Sequence, residues 1–289
     1  MCQAGCIETD PNPGAPGVFL SSSVTAANCI GSFYSDYDQD GLGDKCERDL
    51  AVAFAPTMNY AQGDDIRRES YWAARAVGSN SVLIEYQFGY YFDLGTAENY
   101  TACKIGTVGE LFGECDGHHG DSESVTLTAT YELDTKHWLL TRASLSVHKT
   151  YIVMNAGGQG YVTALQYARK TGADPIIWVA NQKHANYPSQ SDCEDGGYNL
   201  LVTKYLFSFE TCAGPRRTFV AESGGSRNIG SEQVQFFNCV ASNNPFYQDP
   251  PHPIECLWTA DRFTGWQLDQ TTSADGYKTR LLRDGFIAQ

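Results

Sequence analysis

The chain has 289 residues, enough for one large domain with a smaller appendage or for two modest domains. Apolar residues make up 42% and aromatic residues 12%, which is sufficient for a core and excludes a disordered acidic tail. The formal net charge of -14 repels phosphate backbones, so it argues against a nucleic-acid partner. An acidic surface suits cation binding, although solubility alone also explains it.

The ten cysteines predict export. They stand singly in Gly- and Asp-rich loops, with no Cys-x-x-Cys pair, which is typical of disulfides formed in an oxidising compartment. Cys2 is expected to pair with Cys6 or Cys29. If cysteines that follow one another along the chain pair, the expected disulfides are Cys103–Cys115, Cys193–Cys212 and Cys239–Cys256. We therefore predict a secreted or cell-surface protein whose signal peptide has been removed, with no transmembrane segment because no apolar run reaches about 20 residues.

Residues 1–48 form a Cys-, Pro- and Gly-rich segment with little hydrophobic periodicity. Asn12-Pro13-Gly14 and Ala15-Pro16-Gly17 are turn formers. Because the segment has too few apolar residues for a core of its own, we expect disulfides and metal to hold it. The predicted organisation is a first unit of residues 1–48 and a β-domain of residues 49–289.

Strand patterns dominate the second unit. Every second residue of Val82–Phe92 is apolar or aromatic, which predicts a long strand with one buried face. The same period of two occurs in Val125–Tyr131 and Leu139–His148. Ile176–Ala180 is a continuous apolar run and predicts a central strand, and Leu200–Phe209 is a further strand candidate.

Helical signals are weak in comparison. Only Asp64–Ala76 and Gly160–Lys170 could form helices, and both would be short. The predicted fold is therefore mostly β: a β-sandwich with peripheral short helices and long disulfide-linked loops.

The most specific motif lies at residues 36–47. Carboxylates at alternate positions allow one short loop to present several hard oxygens to one Ca²⁺, and Gly41 permits the sharp turn. The spacing fits the full EF-hand loop pattern. The predicted Ca²⁺ ligands are Asp36, Asp38, Asp40, Asp44 and Glu47.

The surroundings of this loop differ from those of an EF-hand. No flanking helix is predicted, and Gly43 and Cys46 stand where an EF-hand usually has apolar residues. The loop instead resembles a thrombospondin type 3 repeat, in which such calcium loops are disulfide-linked. The resemblance covers residues 36–47 and implies a structural role for calcium, which would order a segment that cannot fold by burial. The alternative is a solvated acidic turn.

A second motif, His118-His119-Gly120-Asp121-Ser122-Glu123, opens directly into the strand Val125–Tyr131. Asp121 and Glu123 are each an even number of residues from Val125. Since side chains two residues apart in a strand lie on the same face, both carboxylates are predicted to face the interior. Buried carboxylates require a metal ion or a hydrogen-bonded cation, and His together with carboxylate suits a divalent ion. Taken singly, a histidine is more often a hydrogen-bonded structural residue.

Three segments in this order resemble the vacuolar-sorting protein 62 family. The family pattern is His-x-Gly-Asp-Trp-Glu, then a Ser-x-His strand, then His-Ala-x-Tyr-Pro. Here the matching segments are His118–Glu123, Ser146–His148 and His184–Pro188, within a similarity that spans roughly Ala51–Asn199. Ser122 replaces the family's Trp, which removes an apolar wall beside the site. The first segment is also similar, more distantly, to necrosis- and ethylene-inducing-like proteins, secreted β-sandwich cytolysins that hold a divalent metal and engage sphingolipid head groups.

The resemblance implies a Ca²⁺ or Mg²⁺ site with the ligands His118, Asp121 and Glu123, and with His148 and His184 lining the pocket. Parity alone favours His119 over His118, but parity is unreliable in a Gly-flanked loop, and we follow the motif. A further carboxylate ligand is expected from one of Asp93, Glu110, Glu114 and Asp116.

Three functions are compatible with these patterns. The favoured one is metal-dependent recognition of an extracellular glycan or glycolipid head group, as in the cytolysins. The first alternative is a metal-dependent hydrolase with His148 or His184 as general acid or base, although no Gly-x-Ser-x-Gly or His-Glu-x-x-His signature is present. The second is a structural protein of an extracellular or cell-surface assembly, able to self-associate. An apolar or edge-strand patch away from the His cluster would favour this last function.

Overall fold

A computed structural model describes residues 8–31, 36, 40–60, 70–93, 118–147, 150–181, 184–194, 212, 216–218 and 226–228. Within these residues the protein is mostly β, with two sheets and a few short helices, which confirms the predicted class. The predicted strand Leu200–Phe209 and the predicted pairs Cys103–Cys115 and Cys239–Cys256 lie outside the described residues.

The larger sheet has six strands within the described part of the chain. All neighbouring strands in it are antiparallel except β10 and β2, which are parallel. In spatial order the strands are β10 (Ser226–Asn228), β2 (Ser70–Ala76), β3 (Ser81–Asp93), β4 (His118–Glu132), β5 (His137–Val147) and β6 (Thr150–Asn155).

The smaller sheet has four described strands in the order β8, β7, β1 and β9. Their bounds are β8 (Asn186–Tyr187), β7 (Ile176–Val179), β1 (Thr57–Asn59) and β9 (Arg216–Thr218). β7 runs parallel to β1 and antiparallel to β8. The predicted central strand Ile176–Ala180 is thus confirmed as an interior strand of this sheet, and its Ile177 and Val179 are completely buried.

The predicted alternation is confirmed in β3 and β4. The buried apolar residues occupy every second position, as expected of strands with one face on the core. In β3 they are Val82, Ile84, Tyr86 and Phe88, and in β4 they are Val125, Leu127, Ala129 and Tyr131. Glu123 continues the alternation in β4, whereas Glu85 and Ser124 are buried out of phase with it.

β4 begins earlier than the sequence predicts, at His118 rather than near Val125. It pairs with β3 as far as its first residue, where His118 lies opposite Asp93. The His118–Glu123 motif therefore lies inside a strand instead of in a loop that opens into one, because the long β3 supplies a partner along its whole length.

β5 does not alternate strictly, because a bulge interrupts its pairing with β4. The register shifts between Thr128 and Ala129 of β4, so β5 contains one additional residue. The bulge changes the phase of the alternation and buries Leu140 completely, whereas Leu139 is only partly buried. The predicted alternation over Leu139–His148 is therefore wrong in its first positions.

Three short helices occur in the described residues: α1 (Ala26–Cys29), α2 (Asp44–Ala53) and α3 (Gln190–Glu194). The helix predicted at Asp64–Ala76 is wrong over its described residues, and the helix predicted at Gly160–Lys170 is wrong. Residues 70–76 of the first form β2, which pairs with β3 along its entire length. Residues 160–170 of the second form turns and bends, since backbone groups there bond to β7 and the loop before it, as in the bond from Ile176 N–H to the Gln166 carbonyl at 2.8 Å.

Residues on both sides of position 48 contribute to one hydrophobic cluster, which also includes side chains of both sheets. Val24 and Leu42 are buried in it together with Leu50 of α2. The indole N–H of Trp138 on β5 donates to the Val24 carbonyl at 2.9 Å. The predicted division between residues 48 and 49 falls inside α2; as a statement about domains it stays a prediction.

Candidate functional site

A network of buried polar groups lies where β4 meets β5. Glu123 of β4 is 4% exposed, and its Oε2 accepts a hydrogen bond from the hydroxyl of Ser146 on β5. The same hydroxyl oxygen accepts the backbone N–H of Ser124 at 2.7 Å. Glu123 is thus buried, as its parity with Val125 predicts, and its carboxylate is oriented by a neighbouring strand.

β8 adds an amide to this network. Asn186 is completely buried, and its Nδ2 donates to the Ser124 carbonyl at 3.2 Å and to the Ser146 Oγ at 3.3 Å. Its Oδ1 has no hydrogen-bond partner among the described residues. A buried carbonyl oxygen without a donor costs about 1–3 kcal/mol, so a partner for this atom would have to come from outside the described residues.

The hydroxyl of Ser146 has more hydrogen-bond partners than it has protons to donate. Ser124 and Asn186 both donate to the hydroxyl oxygen, and the two acceptors within reach are Glu123 Oε2 and the Ser124 carbonyl at 3.0 Å. A serine hydroxyl has one proton to donate. It can therefore satisfy only one of these acceptors at a time.

His184 lies two residues before Asn186, in the turn that leads from β7 into β8. It is completely buried, and its φ of 58° places a non-glycine residue in the left-handed region. Its backbone N–H donates to the Ala180 carbonyl at 2.9 Å, which closes the turn. Such a conformation costs about 1–3 kcal/mol and is found preferentially at functional sites. β8 contacts both β4 and β5, so this turn belongs to the same end of the molecule as Glu123.

The other predicted members of the His–carboxylate cluster are described only in part. The backbones of His118 and Asp121 belong to β4, but their side chains lie outside the described part of the chain. Along β4, His119 is an even number of residues from Asp121 and Glu123, whereas His118 is an odd number of residues from them. The side chain of Asp93 and the residues Glu110, Glu114, Asp116 and His148 also lie outside it.

In the predicted calcium loop, aspartate side chains accept hydrogen bonds from backbone N–H groups of the same loop. Asp36 accepts the backbone N–H groups of Asp40 and Gly41 at 3.2 and 3.1 Å, and Asp40 accepts that of Leu42 at 2.9 Å. Gly41 has a φ of 88°, which glycine adopts without steric cost and which the turn of the motif requires. Asp38 lies outside the described residues.

A helix follows this loop directly, so the expectation that flanking helices are missing is wrong on its C-terminal side. α2 begins at Asp44 and holds Glu47 in its first turn, where carboxylates interact favourably with the helix dipole. Cys46 and Leu50, one turn apart, are completely buried and supply the apolar face that the helix needs. Glu47 is also completely buried.

Two disulfides are present among the described cysteines. Cys29–Cys46 closes a loop that contains residues 36–45 of the predicted calcium motif, with a Cα–Cα distance of 5.6 Å. The suggested pairing of Cys2 with Cys29 is therefore wrong, because Cys29 is bonded to Cys46 where the α1 and α2 segments meet. Cys193–Cys212 confirms one predicted pair, with a Cα–Cα distance of 6.0 Å.

The residues present fit a divalent cation by chemical type. Carboxylate and amide oxygens, such as those of Asp36, Glu123 and Asn186, are the ligands that Ca²⁺ and Mg²⁺ prefer. Within the described part of the chain, however, no three His, Cys, Asp or Glu side chains form a group that could hold a metal. Of the eight predicted ligands, the side chains of Asp38, His118 and Asp121 are outside that part. Both metal sites stay predictions.

Sequence reasoning did not single out a second buried histidine. His137 is completely buried, with its Nδ1 2.8 Å from the Pro16 carbonyl and its Nε2 2.9 Å from Asp10 Oδ1. It also missed the role of Asn186, although this residue lies inside the His184–Pro188 segment. Each depends on partners far away in sequence, and for Asn186 the one local signal is a polar residue flanked by buried Ala185 and Tyr187.

Two sheets around a shared hydrophobic cluster, short helices and two disulfides define a mostly β, disulfide-bonded protein. Comparison of the chain with protein-family models, curated proteins and solved structures found no match. The similarities to the vacuolar-sorting protein 62 family and to thrombospondin type 3 repeats therefore rest on their motifs and stay predictions. Among the described helices, none combines the length and the hydropathy needed to cross a bilayer.

Proposed function

We propose that the protein is an exported, calcium-binding β-sandwich protein that recognises an extracellular glycan or glycolipid head group through a divalent cation beside Glu123. The observation that carries this proposal is the buried network of Glu123, Ser146 and Asn186. It combines a buried carboxylate with a buried amide oxygen that has no donor among the described residues.

A cation beside this network would give the Asn186 Oδ1 a partner and would add to the contacts that Glu123 already makes. An ionised carboxylate in the interior costs several kcal/mol unless opposite charge and hydrogen bonds compensate it. Ser146 supplies one hydrogen bond to Glu123, and the Asn186 Oδ1 can accept a hydrogen bond or bind a cation. The backbones of Asp121 and His118 continue along β4 from Glu123 towards the strand's first residue, where the motif places the remaining ligands.

The ligand class follows from the chemistry of such a cation. Ca²⁺ and Mg²⁺ bind oxygen ligands, so a coordination position left open by the protein suits the hydroxyl or acidic groups of a sugar. The motif's similarity to cytolysins that engage sphingolipid head groups supports a glycolipid in particular.

The remaining parts of the proposal have separate support. The two disulfides favour an oxidising compartment and hence export. Met58 and Ile177 of the smaller sheet share a hydrophobic cluster with Leu127 of the larger one, which favours face-to-face packing as in a sandwich. Calcium in the loop 36–47 is supported by the positive φ of Gly41.

Counting bound ions tests the two metal sites separately. Calcium titration by calorimetry, with elemental analysis after gel filtration, should find one ion lost in Glu123→Gln and a different one lost in Asp36→Asn. Glu132→Gln is the matched control, because Glu132 lies on the same strand and is exposed. Equal calcium stoichiometry and affinity in Glu123→Gln and wild type would contradict the cation site.

Ligand recognition is tested on glycan and glycolipid arrays with calcium and with a chelator. We expect wild type and Glu132→Gln to bind in a calcium-dependent manner, and Glu123→Gln to bind at least about tenfold more weakly, the change expected for about 1.4 kcal/mol. Binding that survives both the chelator and Glu123→Gln would show that the cation is not the recognition element.

One observation favours a second candidate, a structural role in an extracellular assembly. β6 is the last strand of the larger sheet as described, and it carries the exposed apolar residues Tyr151 and Val153, 37% and 45% accessible. An edge strand of this kind can pair with another chain. Light scattering should then show concentration-dependent dimers that Val153→Lys abolishes. A wild-type protein that stays monomeric at every concentration tested would remove this candidate.

A further inference from the structure

β5 and β6 carry a strip of side chains on the face opposite to the buried Leu145 and Ile152. Residues that lie opposite each other in an antiparallel pair share a face of the sheet, and successive residues alternate between the two faces. We call the exposed and half-buried residues of this face the outer strip: Arg142, Ser144, Tyr151, Val153 and Asn155.

The outer strip begins beside the buried polar network. Tyr151 lies directly opposite Ser146, whose hydroxyl donates to the Glu123 carboxylate. The Cβ atoms of such a pair are about 4.5–5.5 Å apart, so the side chain of Tyr151 adjoins the network. Ser146 is buried, whereas Tyr151 is 37% accessible. Tyr151 therefore presents an aromatic ring to solvent at the margin of the proposed cation site.

The composition of the outer strip suits a sugar. Val153 follows Tyr151 on the same face of β6 and is 45% accessible. The C–H face of a sugar ring is apolar and packs on such side chains, while the hydroxyl of a tyrosine stays available for a hydrogen bond. Ser144 and Asn155 add a hydroxyl and an amide beside this apolar surface.

Arg142 gives the outer strip a positive charge. It is exposed, and its guanidinium makes no hydrogen bond or ion pair within the part of the chain that the structure describes. None of the five residues of the strip is acidic, and their neighbours Thr126 and Thr128 on β4 are uncharged. The whole chain, in contrast, has 34 acidic residues and a net charge of -14. An anionic group therefore meets a cation and no carboxylate on this face.

The length of the outer strip sets the size of its ligand. Arg142 and Ser146 stand four residues apart on β5, a distance of about 13 Å along a strand. Tyr151 lies opposite the second of them, so the ring and the guanidinium are at opposite ends of the strip. One sugar unit cannot contact both ends, whereas a short oligosaccharide can.

We propose that the outer strip binds an acidic oligosaccharide, with a sugar ring on Tyr151 and a carboxylate or sulfate at Arg142. The guanidinium of an arginine can donate two parallel hydrogen bonds to such a group. The inference rests on the proposed function in taking an extracellular glycan as the ligand. It adds that the glycan is acidic and that part of it lies beyond the cation, along β5 and β6.

The test is a glycan array in which each neutral oligosaccharide, such as lactose, is paired with acidic forms, such as sialyllactose and sulfated lactose, in the presence of calcium. We expect wild type to bind the acidic forms at least about tenfold more tightly, and Arg142→Gln to bind both forms equally. Lys136→Gln is the matched control and should keep the preference, because it removes one positive charge from an exposed position outside the strip.

Tyr151→Ala tests the other end of the outer strip. It should weaken the binding of acidic and neutral forms by the same factor, about tenfold, because the ring packs on the sugar and not on the charged group. Leu133→Ala is the control, since it removes an exposed apolar side chain from the turn between β4 and β5 and should bind as wild type does.

Four results overturn the proposal. Wild type that prefers no acidic form would show that charge does not select the glycan, as would an Arg142→Gln variant that keeps the preference. Loss of the preference in Lys136→Gln would show that net charge, and not the strip, determines binding. Wild-type affinity in Tyr151→Ala would show that the sugar does not lie on the strip. A wild-type dimer that Tyr151→Ala dissociates in light scattering would show that the strip is a contact between copies of the chain.

The outcomes for this strip and for the cation are separable. Calcium-dependent binding that Glu123→Gln removes and Arg142→Gln leaves unchanged would contradict the strip and support the cation. Binding of acidic forms that survives a chelator, with the preference lost in Arg142→Gln, would support the strip and contradict the cation.

Discussion

His137 shows how single residues fix distant parts of this protein to one another. Both of its ring nitrogens face acceptors, the Pro16 carbonyl and the Asp10 carboxylate, at 2.8 and 2.9 Å. The two nitrogens thus contact two different positions of the N-terminal segment. The ring is completely buried, and its contact with Asp10 ties the N-terminal segment to the start of β5.

This pair predicts a dependence of stability on pH. Partial burial favours a higher pKa for Asp10, but the hydrogen bonds from His137 and Asn12 and the charges of His137 and Lys170 outweigh it and lower the pKa below 3.8. A carboxyl group with a lowered pKa in the folded state stabilises the protein above 3.8 and loses that contribution as the pH falls through and below this value. Asp10→Asn should therefore lower the free energy of unfolding near neutral pH and have little effect in strong acid.

Urea denaturation of wild type and Asp10→Asn across the acidic range measures this difference. Glu132→Gln is the control, because it removes one negative charge from an exposed position. A difference between Asp10→Asn and wild type that stays constant at all pH values would contradict the proposed ion pair.

Tyr86 is the second residue whose contribution can be isolated. Its buried hydroxyl donates to the Ala51 carbonyl near the end of α2 at 2.6 Å. Burial, and then the charge of Asp174, raise the pKa of Tyr86 well above 10, so the hydroxyl keeps its proton. Tyr86→Phe should destabilise the protein by about 1–3 kcal/mol, because it leaves the Ala51 carbonyl without this donor.

Chemical denaturation of Tyr86→Phe gives that free energy. The matched control is Tyr161→Phe, since the hydroxyl of Tyr161 makes an exposed hydrogen bond to Gln159, and its loss should cost less than about 0.5 kcal/mol. Equal losses in the two variants would show that burial of the Tyr86 bond has no energetic importance.

At the scale of single residues, the sequence predicts what depends on local spacing. The parity of Glu123 with Val125 correctly predicts its burial, and the motif correctly predicts the turn at Gly41. The partners of His137 and Asn186 lie far away along the chain, and no local pattern indicates them. The metal site at His118–Glu123 stays a prediction. The strand period predicts the burial of Glu123, but the side chains of His118 and Asp121 lie outside the described part of the chain.

At the scale of elements, the N-terminal segment is attached to β5 by a very close backbone approach. Gly17 has a φ of 81°, and a Cβ there would lie 2.3 Å from the Trp138 carbonyl oxygen. Its backbone N–H donates to the Thr171 carbonyl at 2.7 Å. Only glycine allows this contact, since any side chain would collide with β5 and strain the backbone.

Gly17→Ala should therefore lower the free energy of unfolding by about 2 kcal/mol or more, by backbone strain together with displacement of the segment. Gly14→Ala is the control in the same segment, because a Cβ at Gly14 meets no atom within 4 Å. Thermal unfolding of both variants measures the difference. A Gly17→Ala variant as stable as Gly14→Ala would contradict the close approach.

Elements were predictable where one face of a strand is buried along its length. β3 and β4 have this pattern and were predicted. β2 lacks it, since its consecutive residues Trp72, Ala73 and Ala74 are all buried, and its alanines favour a helix in isolation. Pairing with β3 overrides that local preference. The bulge in β5 could not be predicted from the sequence either, because it depends on how β5 pairs with β4.

At the scale of the whole molecule, the Cys29–Cys46 disulfide restrains the unfolded chain across the predicted calcium loop. The sequence separation is 17 residues, and closing a loop of this size stabilises a folded protein by about 3 kcal/mol. The double variant Cys29→Ser, Cys46→Ser should lose this amount in urea denaturation without reductant. An unchanged midpoint relative to oxidised wild type would show that the restraint does not matter.

α2 joins the loop 36–47 to the hydrophobic cluster. Its first turn contains Asp44 and Glu47, and Leu50, at the start of the following turn, is completely buried. A displacement of that first turn would therefore disturb the packing around Leu50. Because binding to the folded state alone stabilises that state, a cation held by the loop would stabilise the core as well as the loop.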